Sequence, residues 1–203
     1  MSSEGFRRSR ARFGAAALLA AAPMLFSSPA FAAARANAAE STGSTVTVVA
    51  LAYGSTGWSY RQVAHDKVPN FYKVGFNDSA WPTGQEGFGT TGGPCSWNKP
   101  ADVHTPWTLN TDMLVRQSFS LPGDATDLRV QGTIDNDADV YLNGHLLQSV
   151  QSGDCQAGAI STKARQDYLK PGDVIAVRGQ DFGDADYLNV KVTYHVPAAA
   201  PGS

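Results

Sequence analysis

The chain is short of the residues that most enzymes use. Of its 203 residues three are glutamate, and Glu86 is the one beyond residue 40. The four histidines, His65, His104, His145 and His195, lie far apart with no metal-ligand spacing, and neither a His-Glu-x-x-His run nor a Gly-x-Ser-x-Gly elbow occurs. A glycoside hydrolase commonly sets two carboxylates across one glycosidic bond. Glu86 with an aspartate could form such a pair, but no spacing marks one, so these absences point to a chain that is not an enzyme.

Charge is also sparse, at 17% Asp, Glu, Lys and Arg. The formal net charge is −2. Four arginines against Glu4 at the extreme N-terminus mask a more acidic remainder of about −5. Beyond that segment the Lys and Arg residues stand singly, without the basic stripe that phosphate binding needs, which argues against a nucleic-acid partner. No apolar run approaches the roughly 20 residues of a membrane span. No window of a dozen residues carries a sustained helical stripe either.

What is present begins with an address. Arg7, Arg8, Arg10 and Arg12 precede the short apolar run FGAAALLAAAPMLF, and Ala30-Phe31-Ala32 has the small-x-small form of a cleavage site. Residues 1–32 therefore read as a bacterial export signal, with the general secretory and twin-arginine routes both open, and the mature protein as secreted. Residues 33–44 and 197–203 are small and polar and read as a disordered lead-in and tail. Cys95 and Cys155 are the two cysteines of a chain bound for an oxidising compartment, so a disulfide is expected between them. Closing a loop of about 60 residues would contribute roughly 4 kcal/mol through chain entropy.

Between residues 45 and 196 β-branched and aromatic runs alternate with turn residues, the pattern of an all-β domain. TVTVVALAY opens it, and an aromatic, Gly-rich stretch from Gly54 to Asn110 follows with little regular pattern. MLVRQSFSL, DLRVQGTI, ADVYL, HLLQSV, VIAVRGQ and YLNVKVTYHV come after. Gln151 to Leu169 reads as a second long loop with one helical turn, and Lys170-Pro171-Gly172-Asp173 as a type II turn. Seven or so strands with uneven long loops predict a two-sheet sandwich.

The stretch IDNDADVYLNGHL raises the possibility of a metal loop. Asp135, Asp137 and Asp139 fit positions one, three and five of an EF-hand, but Val140 stands where glycine is required and Leu146 where an acid is. Asn143-Gly144 instead signals a type I′ hairpin, with the aspartates in the connection before its first strand.

FNDSAW, LVRQSFSLP, IDNDADVYLNG and YLKPGDVIAVRGQD, in this order and spacing, resemble successive blocks of the galactose-binding-like β-sandwich, a jelly roll. It is similar to the sugar-binding domains of β-galactosidase- and β-glucuronidase-like glycoside hydrolases. The resemblance spans nearly all of residues 45–196 and implies ligand binding by loops at one end of the sandwich, with Trp81 in the core.

Sugars present apolar C–H faces and a rim of hydroxyls, so their sites combine flat rings with polar side chains. Trp97, Asn98, His104 and Trp107 in GPCSWNKPADVHTPWTLN have that character, and Asp154 stands beside Cys155 in SGDCQAG. A disulfide between these loops would stiffen a glycan-binding surface. Asp181, Asp184 and Asp186 offer a possible structural calcium site. The expected protein is thus a secreted, lectin-like binder of glycan or polysaccharide. The alternatives are a structural domain, or one that binds a surface protein, of the same fold, and, more remotely, a glycoside hydrolase.

Overall fold

The computed structural model describes residues 44–151, 155 and 157–199. They form an all-β sandwich of two six-stranded sheets. The first sheet runs β10 (Ile160–Lys163), β7 (Thr126–Asp135), β12 (Tyr187–Pro197), β4 (Phe88–Gly89) and β5 (Thr105–Pro106), with β1 (Thr45–Leu51) also paired to β12. The second runs β3 (Thr83–Gln85), β2 (Thr56–Val63), β6 (Asp112–Ser120), β11 (Gly172–Gln180), β8 (Asp137–Leu142) and β9 (His145–Gln151). All pairings are antiparallel except β4 with β5. From β6 to β8, and again from β9 to β12, consecutive strands cross between the sheets, as they do in Greek-key and jelly-roll sandwiches.

Alternation decides which side chains enter the core. Leu128, Val130 and Ile134 of β7, Val190 and Val192 of β12, and Ile175 and Val177 of β11 are all buried between the sheets. A second apolar cluster lies on the opposite face of the second sheet. There Phe71 and Trp81 cover Leu114 and Ala176, and Arg116 reaches out to Asp78 at 2.8 Å. Trp81 is buried, as expected, and Trp58 is wholly buried in the main core.

The Asn143-Gly144 hairpin is present, with positive φ at both residues. Asn143 also holds the start of β11. Its Nδ2 donates to the Tyr168 carbonyl at 2.7 Å and to the Asp173 carboxylate, and its Oδ1 accepts the Val174 N–H at 2.9 Å. Val140 and Leu142 face the core while Tyr141 stacks on Tyr72 from the other side.

The irregular stretch from Gly54 to Asn110 contains four strands, and the second loop contains β10 as well as the expected helical turn, a 3-10 turn at Gln166–Tyr168. The turn at Lys170 also differs from expectation. Gly172 lacks the positive φ of a type II turn and already belongs to β11, and the Asp173 side chain closes the bend by accepting the Lys170 N–H at 3.0 Å.

Candidate functional site

A cavity of about 330 Å³ opens where the turn after β1 meets the loop before β5. That volume lies at the lower end of the range for small-molecule sites. Tyr53 and Gly54 form one wall, Asp102 and His104 the other, and Tyr187 and Asn189 of β12 line it from below. Tyr53 is 47% exposed, a ring presented to solvent at the rim. The Lys191 Nζ sits 5.2 Å from the centre of that ring, within cation–π range.

Glu86 builds the floor. Its Oε2 accepts the Gly54 N–H at 2.6 Å, its other oxygen accepts the Val190 N–H, and its side chain is fully buried beneath the cavity. Burial outweighs these two bonds and pushes its carboxyl up to about 8. The neighbouring residue must be glycine: Gly87 has φ +95°, and a Cβ there would lie 2.3 Å from the Asp102 carbonyl oxygen. This close approach lets the His104 N–H reach the Gly87 carbonyl at 2.8 Å. His104 Nδ1 donates to the Glu86 carbonyl at 2.6 Å, which fixes the ring and leaves Nε2 as the free hydrogen-bonding atom of an exposed side chain.

Tyr187 is fixed in the same way. Its hydroxyl donates to the Asp102 carbonyl at 3.4 Å and accepts from Asn189 Nδ2 at 3.2 Å, and burial raises its pKa to about 12. Asn189 Oδ1 is held in turn by the Thr133 N–H at 2.9 Å. The walls are therefore positioned by hydrogen bonds made within the fold, with few groups left to order when a ligand binds.

The residues singled out in the sequence separate in the structure. His104 lies in the cavity wall. Trp97 is half-buried behind it, its ring 6.0 Å from that of Tyr187. Trp107 is a core residue at 4% exposure, with Nε1 donating to Thr111 Oγ1 at 3.1 Å and its ring so close to β11 that a Cβ at Gly179 would lie 2.6 Å from it. That corrects the reading of Trp107 as a sugar-binding ring: a buried indole offers no face to a sugar. Asn98 is likewise buried, its Nδ2 bridging the carbonyls of Thr90 and Asp186 at 2.8 and 3.0 Å, so it organises the loop from within. Asp154 lies outside the described residues. Cys95 and Cys155 are joined, with Cα atoms 5.1 Å apart.

The three aspartates considered for calcium do not form a cage. Asp184 is exposed, while Asp181 and Asp186 are fully buried. The Asp181 carboxylate accepts the N–H groups of Asn110 and Gly183 at 2.6 and 3.1 Å, and Asp186 accepts Thr90 Oγ1 at 2.6 Å. Burial, reinforced by Asp181, pushes the Asp186 carboxyl up to about 7. Among the described residues, the group of three metal-capable side chains within 4.8 Å is Cys95, Asp135 and Cys155, and its two sulfurs are already joined as a disulfide.

Tyr53, Tyr187, Asn189 and Lys191 escaped the sequence reading because Tyr53 follows β1 while the other three lie on β12, more than 130 residues further along. A Tyr-Gly pair directly after a strand was the one local sign of a presented ring.

No protein-family model matches the chain, and no curated protein matches it. Among solved structures it is similar to a β-glucuronidase of Bacteroides uniformis, at 16% identity and a TM-score of 0.49, covering 74% of this chain and 18% of that one. It is also similar to a β-glycosidase of Bacteroides vulgatus, at 19% identity and a TM-score of 0.39, covering 73% and 20%. A third is a β-glucuronidase from an uncultured Clostridium species, at 10% identity and a TM-score of 0.45, covering 75% and 29%. These are enzymes of the kind whose sandwich domains the sequence blocks resemble. The chain spans less than a third of any of the three, and the activity in their names is theirs.

Proposed function

We propose that the chain is an exported, non-catalytic carbohydrate-binding protein that holds its glycan in the cavity between Tyr53 and His104. The observation that carries this reading is the exposed Tyr53 ring, set beside the free edge of His104 and the Asp102 and Asn189 side chains over a hydrogen-bonded floor. A flat ring takes the C–H face of a sugar, and the polar groups take its hydroxyls. Glu86 supports binding rather than catalysis, since both of its oxygens are engaged by backbone N–H groups and it is shielded from any substrate.

The disulfide supports export to an oxidising compartment. No helix among the described residues is long and apolar enough to cross a membrane. The export signal at 1–32, the lead-in and the tail complete this reading of the chain. The second reading is a protein-binding domain of the same fold, which the burial of Trp58 and Trp107 within the sandwich fits.

The test is retention of the purified protein on a glycan array and on insoluble polysaccharides, with and without calcium. Wild type is expected to be retained, Tyr53→Ala and His104→Ala to lose retention while keeping the wild-type melting temperature, and calcium to make no difference. Retention unchanged in both variants would reject the cavity as the site.

A further inference from the structure

We infer that the glycan is acidic, a polyuronate whose carboxylates lie along a row of cations leading away from the Tyr53 cavity across the outer face of the first sheet. This rests on the reading of the cavity as a glycan site and goes beyond it in naming the polymer class.

The row is invisible in the sequence because each member comes from a different strand. Lys163 of β10 is directly paired with Arg129 of β7. Arg129 is paired with Thr193 of β12, and Lys191 lies two residues along β12, on the same face by alternation. The flanking residues Leu128, Val130, Val190 and Val192 are buried at 1% exposure or less, so the three cations must point outward. Neighbouring strands are about 4.8 Å apart, so the row advances by one charge per strand. It ends where the Lys191 Nζ overlies the Tyr53 ring.

One carboxylate interrupts the row without cancelling it. Asp127 engages Lys163 at 2.5 Å, Arg129 at 3.0 Å and His195 at 3.3 Å. It orders the cations, and with Asp102 of the cavity wall counted the path carries three formal positive charges against two carboxylates. Lys191 makes no ion pair among the described residues. Gln131, Thr133 and Asn189 fill the same face with neutral hydrogen-bonding groups suited to hydroxyls.

On a chain with a formal net charge of −2, a locally positive face attracts anionic polymer against the overall field. Nucleic acid fits less well, since three cations fall short of the roughly 6–10 phosphate contacts of a typical DNA-binding protein. A polymer with one carboxylate on each ring and an apolar ring face satisfies both the row and the Tyr53 cavity.

The experiment titrates the purified protein with polygalacturonate and with the same polymer fully methyl-esterified, at low and at high ionic strength. Sulfated polysaccharide, DNA and a neutral glycan panel complete the set. Wild type is expected to bind the free acid about tenfold more tightly than the ester, with that preference lost at high salt. Exchanging Arg129 and Lys163 together for Gln should cut binding to the acid several-fold and leave binding to the ester unchanged, because neither lines the cavity, and a further Lys191→Gln should remove the preference. The melting temperature of the Arg129 and Lys163 variant should stay at wild type, because both side chains are exposed. Equal binding of acid and ester, or retention of a neutral glycan alone, overturns the cation row and leaves the cavity reading standing. Binding to no glycan at all overturns both, and equal attraction to DNA and sulfated polymer overturns the polyuronate assignment in favour of unspecific charge.

Discussion

The Glu86 carboxyl group accepts the backbone N–H of Gly54 at 2.6 Å, and through its other oxygen it holds Val190 of β12. The turn that presents Tyr53 is thereby tied to the strand that carries Asn189 and Lys191. A single buried acid thus connects the stability of the sandwich to the shape of the cavity.

That acid makes stability depend on pH. With its pKa raised from 4.5 to about 8, Glu86 holds its proton more tightly in the folded protein than in the unfolded chain. Its contribution is complete below the unfolded value and is lost as pH rises through about 8. Asp186, raised to about 7, loses its share earlier. Calorimetric scans should show the melting temperature falling as pH is raised from mildly acidic to mildly alkaline. Glu86→Gln should make the fall shallower from about pH 4.5 upward and end it near the Asp186 transition at about 7. A melting temperature that does not decline over that range would contradict this.

Trp97 and Trp107 should behave in opposite ways. Trp107→Ala empties a core position and is expected to cost about 3–5 kcal/mol in denaturant unfolding. Trp97→Ala removes a half-buried ring behind Tyr187 and should cost about 1 kcal/mol, with weaker glycan retention as its main effect. Similar stability losses in the two variants would remove the distinction between core and wall.

Gly87→Ala probes the close approach beneath His104. With φ +95° and a carbonyl oxygen 2.3 Å from the new Cβ, the backbone must move. A loss of at least about 2 kcal/mol is expected, with a parallel loss of glycan binding as His104 shifts. Wild-type stability in this variant would contradict the geometry.

The disulfide should matter more for stability than for recognition. Exchanging Cys95 and Cys155 for serine is expected to cost roughly 2–4 kcal/mol, and reductant should lower the melting temperature of the wild type to match. Glycan affinity measured well below that melting temperature should fall only a few-fold, because Cys95 does not line the Tyr53 cavity.

The sandwich was legible in the sequence wherever strands alternate cleanly. Val140 and Leu142 against Tyr141, and the positive-φ pair Asn143-Gly144, identify one hairpin without coordinates. β2 and β10 were missed because neither shows that alternation. In β2, Trp58 is buried but its neighbours are only partly covered, and β10 has four residues of which Ile160 alone is buried. The disulfide was legible because two cysteines in a chain read as exported leave a single pairing, and His104, singled out in the sequence, lies in the cavity wall. The rest of the cavity was not, because Tyr53, Asp102 and Asn189 meet only when β1 and the loop before β5 converge on β12. Composition also misled: an indole in a Pro- and Gly-rich loop reads as surface, yet Trp107 finds a glycine on β11 against which it packs into the core.

The most direct test of the central claim is a two-dimensional NMR titration of the folded protein with an oligosaccharide cut from whichever glycan it retains. The account predicts that the largest backbone shifts fall on Tyr53, Gly54, Asp102, His104 and Asn189. Shifts confined to Lys67, Asn70 and Tyr72, which line a separate cavity against Arg178 on the second sheet, would contradict it.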